Sequence, residues 1–213
     1  MRLFFSVTLT VILLSAVGET APEPSVVTKP GQWTVDVEFT HPRQIVSKVL
    51  VDGKLKPKSF WYVILTVTND TGRDVGFYPQ CELMTDTFEI TPAGQTVPGW
   101  VFEQIRNRHR VRYPFLESLE QTSNKLLQGE DHSRDIAIIW PYFDDKANAV
   151  KIFISGLSNE TAALKHPTAK TEQAEPVMLY LCKTLELDYD VKGQATAAGE
   201  IKLQYRRKQW VMR

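Results

Sequence analysis

Residues 60–72 have the sequence FWYVILTVTNDTG, and this stretch decides the fold. The odd-numbered positions from 61 to 67 are all large and apolar, whereas the even-numbered ones change from Phe60 to Thr68. Because successive side chains of a strand point to opposite faces, one face lies in a core and the other becomes polar towards the end. Residues 69–72 then provide turn chemistry, since Asn and Asp bond nearby backbone and glycine adopts positive φ easily. The stretch therefore predicts a buried strand that ends in a tight turn.

Short runs with the same two-residue period recur along the chain between turns rich in glycine, proline and asparagine. They predict further strands over residues 32–40, 45–51, 75–78, 81–88, 95–97, 135–140, 150–154, 177–190, 201–205 and 209–212. Residues 158–175 are polar and include Pro167, which predicts a long surface loop. Within residues 177–190, the apolar first half predicts a central strand, and the second half, which alternates with Glu and Asp, is expected to run out into solvent.

Residues 100–127 interrupt this strand pattern. Val101, Ile105 and His109 are spaced to share one face of a helix, and Pro114 prevents that helix from continuing. We expect a short helix here, followed by irregular chain. Many short strands with little helix predict an all-β fold, an antiparallel sandwich with a short helical or irregular insertion.

Residues 1–18 predict an export signal. Arg2 precedes an uncharged apolar run over residues 3–14, and small residues precede a cleavage point after Gly18. The run is shorter than the roughly 20 residues that a membrane span needs, so we expect no stable span after cleavage. The predicted location is periplasmic or extracellular.

The remainder of the chain predicts one domain behind a linker. Residues 19–31 contain three prolines and indicate an extended linker. Residues 32–213 have the length of a single β-sandwich domain, with the insertion over about 100–127. The 25 basic and 25 acidic residues balance, which argues against a dedicated nucleic-acid binder, because such domains are strongly basic.

The chain has two cysteines, Cys81 and Cys182, and both lie in predicted strands. An oxidising compartment and an even count would permit a disulfide between them. The alternative is two separate buried thiols that pack as small apolar residues. The sequence leaves both interpretations open.

The segment YVILTVTNDTGRDV at residues 62–75 resembles the strand-turn-strand signature of immunoglobulin-like modules in bacterial exported proteins. The resemblance implies an immunoglobulin-like sandwich and carries no activity, because such modules serve many functions. Longer blocks at residues 61–79, 97–109 and 126–140 resemble an uncharacterised family of exported planctomycete proteins. That resemblance implies a bacterial envelope protein and supplies no catalytic residues.

The densest polar cluster is the sequence GEDHSRD at residues 129–135. Its metal-ligand types are Glu130, Asp131, His132 and Asp135. They are neighbours on one loop and match no known metal-binding spacing, so they are weak candidates, and a loop bonded to its own backbone explains them equally. No nucleophile motif accompanies them, and no cofactor is predicted.

Two segments are rich in arginine. Their candidate binding residues are Arg106, Arg108, Arg110, Arg112, Arg206 and Arg207. Guanidinium groups bind phosphate and carboxylate through two parallel hydrogen bonds, so the segments together predict one anion-binding face. The alternative is that these charges pair with nearby carboxylates or keep strand faces solvated.

The leading hypothesis is an exported, non-enzymatic envelope module that binds a protein partner or an anionic polymer. The first alternative is a metal-dependent hydrolase that uses Glu130, Asp131 and His132. The second is a purely structural spacer domain. Nothing in the sequence names the partner.

Overall fold

The alternating run at residues 60–68 lies in the longest strand of a five-stranded sheet, and this sheet packs against a six-stranded one. The structure, a computed structural model, describes residues 21–25, 29–170, 175–193 and 201–213. Within these parts the strands are β1 (Asp36–Phe39), β2 (Arg43–Val51), β3 (Lys54–Thr68), β4 (Val75–Gly76), β5 (Gln80–Thr85), β6 (Ile90–Pro92), β7 (Glu117–Ser118), β8 (Lys125–Leu126), β9 (Arg134–Pro141), β10 (Ala149–Ser155), β11 (Thr161–Lys170), β12 (Pro176–Lys192) and β13 (Lys202–Met212). The helix α1 spans Gly99–His109, and a 3-10 turn spans Glu130–His132. The protein is an all-β sandwich, as the sequence predicted.

Strand β3 is the centre of the first sheet. β1 and β2 pair with successive parts of one edge of β3, and β9 pairs with the other edge. All three pairings are antiparallel, and the short β7 adds a parallel strand beyond β9. The hairpin between β2 and β3 turns at Asp52 and Gly53, where both residues have positive φ.

Strand β12 organises the second sheet, whose order runs from β13 through β12, β10 and β5 to β6. The second half of β12 pairs with β10 on one edge and β13 on the other. Its first half pairs with β11, which follows β10 along the same edge. The first half of β12 and β11 thus form a two-stranded ribbon at one end of the sheet.

The core fills the space between the sheets and continues under the helix. Odd-numbered residues of β3 such as Trp61 and Leu65 pack with Ile152 and Leu187 of the second sheet. The even-numbered Phe60, Tyr62 and Ile64 form a second buried cluster with Val101, Phe102 and Ile105 of α1. Strand β3 is therefore buried on both faces, because α1 covers the face that the second sheet leaves open.

Helix α1 confirms the predicted short helix. It follows Pro98, whose φ of −65° suits a residue that leads into a helix. The buried face consists of Val101, Phe102 and Ile105, and the helix ends at His109, well before Pro114. The sequence spacing thus identified the buried face of the helix correctly.

Two predictions of local structure are wrong. Residues 158–175 contain β11 rather than a long loop, because pairing with β12, and not an apolar pattern of its own, makes this segment a strand. Residues 95–97 form a turn, in which Thr96 has a φ of 56°. The strand in that part of the chain is β6, which pairs with β5.

The two halves of β12 have the opposite burial from that predicted. Met178 and Tyr180 in its first half are exposed, whereas Glu186 and Asp188 in its second half are buried. The two carboxylates are buried because Lys151, Arg207 and Gln209 of the adjacent strands contact them. The alternating acidic residues predicted a solvent-exposed face, but in the structure basic and amide side chains cover that face.

The two cysteines are not bonded to each other. Cys81 points into the core, and its thiol pKa is raised by burial and, to a smaller extent, by the charge of Glu82. Cys182 is exposed and lies on the opposite face of the sheet, since the inward positions of β12 are Leu185, Leu187 and their odd-numbered neighbours. Of the two interpretations that the sequence left open, two separate thiols describe the structure, although only Cys81 is buried.

Part of the predicted linker packs on the domain. Residues 21–25 lie beside β13, and the Ser25 backbone N–H donates a hydrogen bond of 2.7 Å to Glu160 Oε1. The predicted export signal at residues 1–18 lies outside the described residues. In the described ranges, no helix combines the length and the apolar character needed to cross a membrane.

Candidate anion-binding site

The acidic loop does not assemble a metal site. Asp135 lies in β9 and accepts a hydrogen bond of 2.6 Å from Thr66 Oγ1, while Ser133 Oγ donates to the Glu130 carbonyl oxygen at 2.7 Å. Glu130 to His132 form the 3-10 turn that precedes β9. Among the described residues, no group of three or more His, Cys, Asp or Glu side chains is placed to hold a metal ion. Hydrogen bonds within and around the loop account for Ser133 and Asp135.

The C-terminal arginines are neutralised by strand β12. Arg207 contacts Asp188 at 3.2 Å and Glu186 at 3.7 Å, and Arg206 contacts Asp190 at 3.6 Å. These carboxylates point away from the core, because they alternate with Leu185 and Leu187. For this segment, pairing with nearby carboxylates is the arrangement in the structure.

The arginines of α1 and the following turn behave differently. Arg106 pairs with Glu103 one helical turn earlier at 2.5 Å. Arg108, Arg110 and Arg112 are exposed, and no carboxylate oxygen of the described residues lies within 4.0 Å of them. Helix α1 lies on the outer face of the first sheet and Arg207 on the outer face of the second. The two arginine segments therefore do not form one face.

Arg43 joins the helix arginines through the register of the β2–β3 hairpin. Arg43 is paired with Tyr62, whose hydroxyl is 3.0 Å from Nε2 of His109 at the end of α1. The Arg112 guanidinium lies 5.3 Å from the centre of the Tyr113 ring. We call Arg43, Arg108, Arg110 and Arg112 the basic patch.

Arg43 was not among the binding residues predicted from the sequence, although the sequence carries a signal for it. The turn at Asp52 and Gly53 fixes the hairpin register, and counting back from it places Arg43 opposite Tyr62. The helical spacing separately places His109 on the buried side of α1. The hairpin register and the helical spacing together would have predicted that Arg43 lies near the end of the helix.

The lysines of β3 extend the positive charge along the same face. Lys54, Lys56 and Lys58 are even-numbered, so they point to the same side of the strand as Tyr62. Lys56 contacts Asp52 at 3.5 Å across the turn, where both side chains are largely exposed. A pair this exposed contributes little to stability and leaves the face positive.

The environment of His109 favours the neutral form of its imidazole. Burial lowers the pKa of His109, and the charges of Arg43, Arg108 and Arg112 lower it further. The neutral ring can either donate to or accept from the Tyr62 hydroxyl, depending on its tautomer. A negative charge close to these arginines would oppose their effect and raise this pKa.

Acidification is expected to destabilise the fold through His109. The folded-state pKa of His109 is below the unfolded value of about 6.5, so the unfolded state binds the proton first. The free energy of unfolding therefore decreases as pH falls below about 6.5. Urea unfolding of His109→Gln at several pH values should show a weaker pH dependence than the parent chain. An unaltered pH dependence in His109→Gln would contradict this assignment.

The fold and the site together define an all-β sandwich that carries a basic patch at the end of its helix. No family model, curated protein or solved structure matches the chain. The resemblance to exported planctomycete proteins therefore stays a prediction.

Proposed function

We propose that this chain is an exported, non-enzymatic module of a bacterial envelope that binds an anionic partner through the basic patch. The location would be periplasmic or extracellular, as the pattern of residues 1–18 predicts. The two packed antiparallel sheets and the strand-turn-strand stretch at residues 62–75 support an immunoglobulin-like sandwich. An envelope polymer with carboxylate, sulfate or phosphate groups has the chemistry that the patch would recognise.

The distribution of arginine partners carries the proposal. Ten arginines lie in the described residues, and five of them have a carboxylate within 4.0 Å: Arg106, Arg134, Arg206, Arg207 and Arg213. The other five are Arg43, Arg73, Arg108, Arg110 and Arg112. All of these except Arg73 belong to the basic patch. In a chain with balanced charge, such a local excess is a recognition feature rather than a product of general basicity.

The helix dipole explains only part of this excess. Cations are stabilised within the last turn of a helix, which accounts for Arg106 and Arg108. Arg43 lies on a strand, and Arg112 follows the helix. The convergence of these groups from three parts of the chain supports a binding role, since a guanidinium forks onto phosphate or carboxylate with good geometry.

The test is binding of residues 19–213 to immobilised dextran sulfate, with neutral dextran as the blank. Changing Arg108→Glu together with Arg110→Glu is expected to weaken binding by about tenfold or more, because each change replaces attraction with repulsion. The matched control is Lys165→Glu with Lys202→Glu, which changes the net charge equally at exposed sites on the second sheet. Added salt should weaken binding of the parent chain and of the control.

Two results would contradict the proposal. One is binding to dextran sulfate that neither salt nor the Arg108→Glu and Arg110→Glu pair changes. The other is an equal loss in the lysine control, which would indicate attraction by total charge alone.

A further inference from the structure

The chain after α1 exposes large apolar side chains among the arginines of the basic patch. Residues 110–115 have the sequence RVRYPF, and we call them the apolar loop. Val111 is 92% exposed and Phe115 is 85% exposed. Single exposed apolar side chains are common on protein surfaces, but two of them within one six-residue loop, beside unpaired guanidinium groups, indicate a surface that meets another apolar phase.

The backbone of the apolar loop is fixed rather than free to fold these side chains inward. The N–H groups of Arg112 and Tyr113 both donate to the His109 carbonyl oxygen, at 3.0 and 2.9 Å. The side chains of Tyr113 and Leu116 are buried under α1. Because the backbone is bonded at Arg112 and Tyr113 and the side chains of Tyr113 and Leu116 point inward, Val111 and Phe115 are held outward.

We propose that the apolar loop is a membrane-docking element whose partner is the surface of a bilayer that contains anionic lipid. This inference rests on the proposed function of the basic patch and names its partner. Val111 and Phe115 enter the interfacial region below the headgroups, and Arg108, Arg110 and Arg112 contact the lipid phosphates.

The combination of charges and apolar side chains favours a lipid surface over a polymer in water. A dissolved polyanion would satisfy the arginines but leave Val111 and Phe115 in water. A bilayer surface offers phosphate groups and hydrocarbon within a few ångströms of each other, which matches basic and apolar residues that alternate along one loop. Long guanidinium side chains also reach the headgroups while the adjacent residues lie deeper. Two apolar side chains and a few charges suit reversible attachment.

The experiment measures cosedimentation of residues 19–213 with vesicles of phosphatidylcholine alone, or with about 30% phosphatidylglycerol added as the anionic lipid. Binding is expected only to the anionic vesicles. Val111→Ser with Phe115→Ser should lower that binding by about tenfold or more, because the anchoring area is lost. The same variant should bind dextran sulfate as well as the parent chain does.

The matched control is Phe88→Ser, since Phe88 is also 85% exposed but lies beyond β5 in another part of the molecule. It should bind anionic vesicles as the parent chain does. Because all three residues are exposed, both variants should keep the parent melting temperature, and circular dichroism checks this.

The outcomes separate this inference from the function on which it rests. Binding to dextran sulfate without binding to anionic vesicles overturns the lipid inference and leaves the polymer-binding function standing. Vesicle binding that Val111→Ser with Phe115→Ser does not weaken overturns the insertion of the apolar loop. Binding to neither dextran sulfate nor vesicles overturns both.

Discussion

Replacing Gly156 by alanine is expected to lower the free energy of unfolding by about 3 kcal/mol or more, although it adds only one methyl group. Gly156 follows β10 and has a φ of +80°, a conformation that disfavours side chains. A Cβ atom there would lie within 3 Å of the Tyr78 carbonyl group and of Pro79 Cα. Backbone atoms cannot rotate aside, so the two loops would have to separate.

The matched control for this variant is Gly72→Ala. Gly72 has nearly the same φ, +83°, but no atom lies within 4 Å of the Cβ position. It therefore carries only the conformational penalty, about 1–2 kcal/mol. Urea unfolding of both variants measures the difference, which isolates the contribution of the clash. Equal losses at the two positions would show that the close approach at Gly156 is not needed.

Replacing Lys183 by methionine is expected to cost about 3–5 kcal/mol, because it leaves a buried carboxylate without its cation. Lys183 and Glu160 side chains are 7% and 6% exposed, and Nζ lies 3.1 Å from Oε2. Nζ also lies 5.4 Å from the centre of the Trp210 ring. The other carboxylate oxygen, Oε1, accepts the Ser25 N–H, so the pair joins β12 to the segment before the domain.

A second change should rescue this variant. With Glu160→Gln added to Lys183→Met, no buried charge is left unpaired, and most of the lost stability should return. Urea unfolding of the parent chain, the single variant and the double variant tests this. A single variant within about 1 kcal/mol of the parent chain, or a double variant no better than the single one, would contradict the role of the pair.

The pH dependence provides an independent check on Glu160. Burial raises the pKa of Glu160, but hydrogen bonds from Ser25 and Lys183 outweigh it, so the pKa lies below its usual value. A lowered carboxyl pKa gives stability that is present above the unfolded pKa, about 4.3, and is lost as pH falls. The difference in free energy of unfolding between the parent chain and Lys183→Met should therefore decrease in acid, because protonation of Glu160 removes the unpaired charge.

The parts of the fold that could be predicted are those whose signal is local. The apolar alternation of β3 and the spacing of Val101 and Ile105 in α1 each identify an element from its own side chains. Strand β11 could not be found in this way, because its partner alone makes it a strand. The burial of Glu186 likewise depends on Lys151 and on residues of β13, which are distant in sequence.

The candidate site was predicted only in part for a similar reason. Arg108, Arg110 and Arg112 are conspicuous in the sequence, and so are Arg206 and Arg207. Composition cannot distinguish them, since the two groups differ only in the strand packed beside them. Strand β12 supplies carboxylates to the C-terminal arginines, whereas hairpin β2–β3 adds a further arginine, Arg43, beside the helix arginines. Strand register and strand order decide which arginines have a carboxylate partner and which do not.

The position of β3 between β2 and β9 has a consequence for the newly synthesised chain. The hairpin partner of β3 precedes it directly, but β9 begins about 70 residues after the matching part of β3. At roughly 5–20 residues per second, the apolar β3 waits several seconds for its second neighbour. Sheets that depend on such distant pairings also fold slowly, over about milliseconds to seconds. Strand β3, whose centre is buried on both faces in the folded protein, is therefore exposed to chaperones for several seconds before its second neighbour is made.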